Sequence, residues 1–567
     1  MNPMTGTARS TGENSTAYSD LEALAEDFWA WRALHQPVSS DDIPRIERSP
    51  DWIPDWSKEA IERRRRDLSL FAERWRLMEV KSWPISQQVD YRLIGSALAR
   101  VHWELDITRA QERNPGFYVD QTLGALHLSL LKPPSFDEVR SREILSRIAS
   151  IPQTAAEAKA NLAGKAVKPF ALAAIDKLTD VSARLRKTAK ELSPLLSGVS
   201  SADLYEATGN ATLALESFRN WLEAGLPQMS HSTAIGREAY IYFLKNVALM
   251  PFTPDQLLAM GAQEWERSVA CETYERARNE GLPELPLFPT QAVQIAREAQ
   301  EEQKIRQFLR AKHILTIPDW VQHYRNLPMP SYLEPLAFMG VADDLTSATR
   351  LNENGISYVK PPAPDLDYFS LSIAKDPRPL IVHEGVPGHY FQLVLSWAHQ
   401  NPIRRRYYDS GANEGIGFYA EELLLQFGLF DGSPRTREIM YSYMRLRALR
   451  VEVDVKLALG LFTIDEATDC LEKIVPIDRA TARQEATFFA SAPGQAITYQ
   501  IGKLQIVKFL ADARLKLGAE FDLKAFHDFV WLNGNIPIAL QRWEYLELAD
   551  EIKTIDLPPA EALTFGR

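Results

Sequence analysis

Residues 379–392 read PLIVHEGVPGHYFQ, and within them His383, Glu384 and His389 are the residue types of a hydrolytic metal centre. A neutral imidazole is a good ligand for a divalent cation, and a carboxylate beside it can take a proton from water that such a cation polarises. The spacing is the difficulty. In an H-E-x-x-H helix the histidines lie about four residues apart, one turn, on one face. Here they are six apart, a step that turns a regular helix by about 600°, roughly 240° net, so the rings would diverge. Gly385, Pro387 and Gly388 stand between them, and all three are poor helix-interior residues. A bulge or kink at Gly385–Gly388 is the geometry that would bring both imidazoles to one side. On spacing alone, a metal site, a pair of core or capping histidines and a surface turn all stay open.

The elements that must position this stretch are helical. Apolar residues recur at helical spacing over Leu21–Leu34, Ser57–Val80, Ser86–Ile107, Pro169–Leu192, Ala202–Leu222, Gly236–Leu249 and Pro254–Glu280. Thr253-Pro254 puts a capping hydroxyl before a first-turn proline, and Ser57 precedes another apolar run. Strand signals are few: Ile356–Lys360 and Tyr368–Ile373 flank a proline-rich loop, Pro361–Pro364, just upstream of the motif. Residues 1–18 are rich in Ser, Thr, Gly and Asn and are expected to be disordered. From residue 19 to 567 the pattern predicts one mainly α-helical unit with a small β element beside the site.

Composition narrows the function classes. A net charge of −11 offers no electrostatic reason to expect nucleic acid or an anionic membrane. The run Arg63–Arg66 is short, flanked by acids and inside a helical pattern, so a solvated helix face is expected. Two cysteines, Cys271 and Cys470, argue against a disulfide framework or a Cys-based zinc site and read as buried thiols. The N-terminus has neither the basic nor the apolar region of a signal peptide, and no apolar run reaches about 18 residues, so a cytoplasmic protein is expected.

Several segments share a likeness. HEGVPGHYFQ resembles the H-E-x-x-P-G-H-H-x-Q signature of the bacterial domain-of-unknown-function family 885, helical proteins similar to the gluzincin zinc peptidases. Asn413–Glu421 (NEGIGFYAE) resembles that family's E-G-W-A-x-Y-x-E helix, and Pro493–Lys503 (PGQAITYQIGK) its P-G-Q-A-x-x-Y-x-I-G-K segment. Ile235–Tyr240, Thr253–Leu257, and Tyr358 ahead of Pro361-Pro362 are also similar, so the likeness runs in order over about 230–510. It implies a large gluzincin-like helical body with a deep cleft, for which 19–230 and 231–567 are candidate lobes. It also implies one zinc ion, with Fe2+ or Mn2+ as alternatives, held by His383, His389 and Glu414, with Glu384 as general base. Two imidazoles and one carboxylate leave a position open for water and substrate. Glu421 follows Glu414 by two turns on the same face and is a candidate to orient a ligand, although Glu421 and Glu422 also read as a solvated pair. Tyr499, one turn after Gln495, is the candidate oxyanion donor, with a core aromatic and a turn glutamine as the plain alternatives. Asp454 matches a family aspartate and could orient a ligand or sit in a surface ion pair, whereas His399 reads as a helix C-terminal residue.

The departures fall on residues suited to touching substrate. The second histidine of the family pair is Tyr390, the tryptophan after Glu-Gly is Ile416, a histidine becomes Ala458, and an arginine before P-G-Q-A becomes Phe488. Lost Arg and His remove groups able to bind a carboxylate, which predicts a retained metal site with an altered pocket. The expectation is a hydrolase of a peptide or amide bond in a small substrate. The rivals are a metal-dependent lyase, decarboxylase or oxygen-using iron enzyme, and a binding protein without catalysis.

Overall fold

The computed structural model describes residues 10–39, 46–475 and 477–557. The chain is mainly helical, and many of its helices begin with a side chain that satisfies a first-turn N–H otherwise left without a partner. α1 (Ser10–His35), α2 (Lys58–Arg76) and α3 (Ile85–His102) open the fold, and Ser57 caps α2 by accepting from Ala60 N at 3.2 Å. Of the segment expected to be disordered, residues 1–9 lie outside the described residues and 10–18 belong to α1. Of the arginine run on α2, Arg64 is not on a solvated face: it is buried with its guanidinium 4.1 Å over the Trp56 ring. α4 (Glu138–Leu162) and α5 (Ser201–Gly225) pack together. The run expected as one helix over Pro169–Leu192 is two, Lys168–Lys177 and Val181–Leu192. Asp180 breaks it at φ +57°, a left-handed conformation that Asp adopts more readily than most side chains.

α6 (Pro254–Arg278) starts at Thr253, where a capping box with Gln256 satisfies two backbone donors reciprocally. α7 (Gln291–Ala311) leads into a three-stranded sheet of β1 (Tyr324–Pro328), β2 (Asp343–Asp344) and β3 (Gly355–Val359) in the order β1-β3-β2. β1 runs parallel to β3 with Tyr324 opposite Gly355, and β2 is antiparallel. The other expected strand is a helix, α8 (Tyr368–Ile373). Its apolar-polar alternation suggested a strand, but Asp367 accepts from Ser370 N at 2.9 Å, and that cap decides the local fold.

α9 (His389–Trp397), α10 (Ser410–Gln426), α11 (Pro434–Leu459), α12 (Arg479–Ser491) and α13 (Ile497–Leu517) form the part that carries the motifs. α11 packs on α6 and α10 on α13. The second crossing brings backbones into contact: a Cβ on Gly502 would stand 2.1 Å from Gly411 O, and one on Gly415 2.7 Å from Gly502 C. Only glycine fits there. α10 is buried along nearly its whole length, with Ile416, Phe418 and Leu424 in an apolar cluster where a side chain such as Phe418 contributes roughly 2–3 kcal/mol. Lys503 of α13 is buried beneath it, 4.4 Å over the Phe418 ring and 2.7 Å from Glu422. A separate cluster gathers residues 21–222 with Tyr332–Tyr358, Ile403, Tyr407 and residues 536–555, so early and late parts of the chain share one core. Both cysteines are free and half-buried. Among the described residues no helix is long and apolar enough to cross a membrane.

Candidate metal centre

The stretch PLIVHEGVPGH is not one helix. Ile381–Gly385 is a single wide turn, with Val386 N donating to Ile381 O at 2.9 Å, a five-residue step. Extended backbone at Val386 follows, and α9 restarts at His389. The turn is tight, because a Cβ on Gly388 would lie 1.7 Å from His383 O, and Trp531 Nε1 holds it by donating to Pro387 O at 2.7 Å. The break brings the two imidazoles together at 4.6 Å between ring centroids, inclined by 75°. Both rings lie over Gly417 of α10, whose missing side chain leaves them room: a Cβ there would meet His383 Cε1 at 3.0 Å and His389 Cε1 at 3.2 Å.

One turn earlier on α10, Glu414 Oε2 sits 3.1 Å from His389 Nε2 and 3.3 Å from His383 Nε2. These approaches are short but lack hydrogen-bond geometry, so Glu414 Oε2 is a buried oxygen with no hydrogen bond among the described residues. Two ring nitrogens that converge on one carboxylate oxygen are donors suited to a single cation. For metal–ligand bonds of about 2.0–2.1 Å, tetrahedral ligands stand about 3.3 Å apart, close to both separations. Burial alone would raise the Glu414 carboxyl; the imidazoles, His389 foremost, hold it well below the usual carboxylate range. Burial and the Arg447 guanidinium push His383 down, but Glu414 and Glu421 outweigh them and hold it at about 9. Without a cation the cluster therefore retains a proton.

Glu421 lies two turns after Glu414 and is fully buried rather than solvated. Its Oε1 is 2.7 Å from His383 Nδ1 and 2.8 Å from Arg447 Nη2, and Arg447 Nη1 donates to its Oε2 at 2.9 Å. That fixes which His383 nitrogen faces the centre. Glu384 is partly exposed, its Oε2 3.9 Å from His389 Nε2. With His383 and His389 it forms a group whose ligand atoms lie within 4.8 Å of one another, yet Glu414 is the nearer carboxylate to both rings.

His383 and Glu384 open on a cavity of about 1800 Å3, whose wall includes Tyr358, Arg447, Phe488, Gln495 and Tyr499. The Tyr499 ring is stacked on His383 at 6.1 Å with 15° between planes, and the Arg450 and Arg447 guanidiniums lie 5.0 and 5.7 Å from its centroid. Gln495 accepts from Ser410 Oγ at 3.0 Å. Asp454 is buried away from the centre and is neither a ligand partner nor a surface ion pair. It accepts from Gly494 N, Ala496 N and Tyr240 OH, so it pins the turn ahead of α13 that sets Gln495 and Tyr499, while burial pushes its carboxyl up to about 7. Tyr358 lies on β3 with its hydroxyl beside that of Tyr332. Tyr390 is buried behind β3, where a Cβ on Gly355 would meet its ring at 2.5 Å, and its hydroxyl donates to Glu353 O at 3.4 Å, away from the cavity wall. His399 follows the end of α9, and its Nδ1 accepts from Asn401 N at 3.0 Å.

Sequence reasoning missed the residues that hold the frame. Gln392 Oε1 accepts from Asn413 Nδ2 at 2.9 Å and Asn535 Nδ2 at 3.0 Å, tying α9 to α10 through wholly buried amides. Gln392 is one turn after His389 and Asn413 adjoins Glu414, so the helical period was the available signal. Arg447 and Arg450, one turn apart on α11, were legible only as charges on a helix; Arg450 Nε donates to Glu485 Oε2 at 3.0 Å. Around the centre, Glu384, Glu414, Glu421 and Glu485 face the two guanidiniums of Arg447 and Arg450, so with both imidazoles neutral, as ligation requires, two negative charges are left for a cation. Donor types, spacing and charge all fit a divalent cation.

A family described as bacterial protein of unknown function (DUF885) matches residues 45–543. No curated protein matches the chain. Among solved structures, a protein of unknown function from Shewanella oneidensis, named as a candidate lipoprotein, is 18% identical with a TM-score of 0.68, over 95% of this chain and 100% of that one. A candidate lipoprotein from Colwellia psychrerythraea is 16% identical with a TM-score of 0.72, over 95% and 99%. These likenesses concern the fold.

Proposed function

The chain belongs to the DUF885 family of bacterial proteins of unknown function, and from that premise we propose that it is a zinc-dependent hydrolase of a peptide or amide bond in a small substrate, built on a gluzincin-like centre. The observation that carries the reading is the convergence of His383 Nε2 and His389 Nε2 on Glu414 Oε2, an oxygen with no hydrogen bond of its own. A divalent cation held by these three residues supplies Lewis acidity toward a carbonyl and lowers the pKa of water.

The chain's own residues do the rest. Glu384, beside the ligands and open to the cavity, takes the proton of the attacking water and returns it to the leaving nitrogen. Glu421, fixed by Arg447, keeps the His383 ring aimed. Tyr499, packed on that ring, donates its hydroxyl to the oxygen that gains charge. A cavity of about 1800 Å3 reads as a cleft suited to short substrates, not folded proteins. The two similar structures are named as candidate lipoproteins, so cell fractionation is the deciding measurement for location.

The test of the chemistry is a mass-spectrometric screen of short peptides and N-acyl amino acids with wild type and Glu384→Gln. Turnover that Glu384→Gln abolishes while metal content stays intact supports the reading. Iron in the purified protein together with oxygen uptake, or no Glu384-dependent cleavage of any amide, would overturn it.

A further inference from the structure

We propose that Arg100 forms an anion subsite in the wall of the catalytic cavity, so that the substrate carries a carboxylate away from its scissile bond. The proposal rests on the hydrolase reading above, and it names the substrate class. Three observations lead to it. Arg100 of α3 is half-buried in the cavity wall, and its guanidinium makes no hydrogen bond or ion pair among the described residues. The acid one turn on, Glu104, is taken by Arg32 at 2.5 Å, and the two arginines beside the histidines are engaged too, Arg447 by Glu421 and Arg450 by Glu485. A half-buried guanidinium with no hydrogen bond or ion pair in a cavity wall has its N–H donors free for an anion.

Its position is fixed by its neighbours. The charge of Arg100 acts on Tyr407 and on Asp409, the fully buried residue that caps α10 by accepting from Ala412 N at 2.7 Å. Asp409 precedes Glu414 by five residues, about 7.5 Å along the helix axis. The cavity wall also presents Ser410, Gln495 and Tyr499, side chains able to hydrogen-bond a substrate. A short peptide's terminal carboxylate is an anion of the kind this guanidinium would take. The wall near Phe488, where the sequence lacks a family arginine, is not the only place this cavity can hold a carboxylate.

Calorimetric binding of N-acetyl-trialanine and of its C-terminal carboxamide separates the carboxylate from the rest of the ligand. The titrations use the full-length protein both as purified and after chelation. A charge-assisted pair predicts that the acid binds wild type about tenfold or more tightly than the amide. That preference is expected to persist after chelation, to fall within about twofold in Arg100→Gln, and to survive in Arg100→Lys. Acid and amide binding alike, no binding of either, or a preference that survives Arg100→Gln overturns the subsite. The wild-type comparison needs no variant, so a poorly folding Arg100→Gln does not shield the claim. Because binding is read without turnover, a failed hydrolase assay and a failed subsite give different results.

Discussion

Gly417→Ala separates the demands of folding from those of the centre. Gly417 lies inside α10, where alanine is preferred to glycine by about 1 kcal/mol through backbone entropy and helix propensity. Against that, the new methyl carbon would stand 3.0 Å from His383 Cε1, 3.1 Å from His383 Nδ1 and 3.2 Å from His389 Cε1. Ordinary contact requires the two rings to retreat by about 0.4 Å. Neither ring is free to yield cheaply: His383 is held by Glu421, and both are almost wholly buried. The displacement exceeds the roughly 0.2 Å tolerance of metal–ligand distances, so zinc affinity should fall about ten- to hundredfold. Thermal or urea unfolding of the chelated protein should meanwhile change by less than about 1 kcal/mol in either direction. The assay is competition with a chromophoric chelator alongside unfolding of the chelated form. An affinity within about twofold of wild type would show that the imidazoles over Gly417 do not hold the metal, and the reasoning would fail.

Glu384→Gln should lower amide turnover by at least about 100-fold while leaving bound metal unchanged, read from paired kinetic and metal assays. Glu422 is only slightly exposed, and Lys503 and Arg267 hold its carboxyl down to about 2 despite its burial. Its folded pKa is depressed, so its contribution, at most about 3 kcal/mol, is present above about pH 4.5 and lost as pH falls toward 2. Acid titration of stability in Lys503→Met should show a shallower loss over that window, and an unchanged slope counts against the pairing. Asp454→Asn replaces one of the two oxygens that accept the turn's N–H groups with an NH2 donor, so stability should drop by about 1–3 kcal/mol, with kcat reduced through Tyr499 and zinc content intact. Loss of zinc in that variant would mean the turn supports the ligands themselves.

Much of this was legible in the sequence because the signals were local. Ser57 and Thr253 announced their helices through capping chemistry, and Gly385, Pro387 and Gly388 announced that no regular helix could run from His383 to His389. The juxtaposition of Glu414 with both rings followed from the family likeness, not from spacing. What failed depended on tertiary context. Tyr368–Ile373 alternates like a strand, and the cap at Asp367 decides for a helix. Tyr390 stood out as a change in the motif, yet one step of helix rotation from His389 sends it behind β3. Asp454 looked like a ligand's partner and instead fastens a turn. Arg100, far from every motif in sequence, meets the cavity because α3 packs beside Tyr407, which no periodicity reveals.

The most direct measurement is the metal content of the protein purified without added metal, set against His383→Ala and Glu414→Ala. The convergence of three buried ligand atoms predicts about one divalent cation per chain in wild type, retained through gel filtration, and a small fraction of that in either variant that still folds. Well under one metal per chain in wild type, or a content that neither substitution changes, would contradict the central claim.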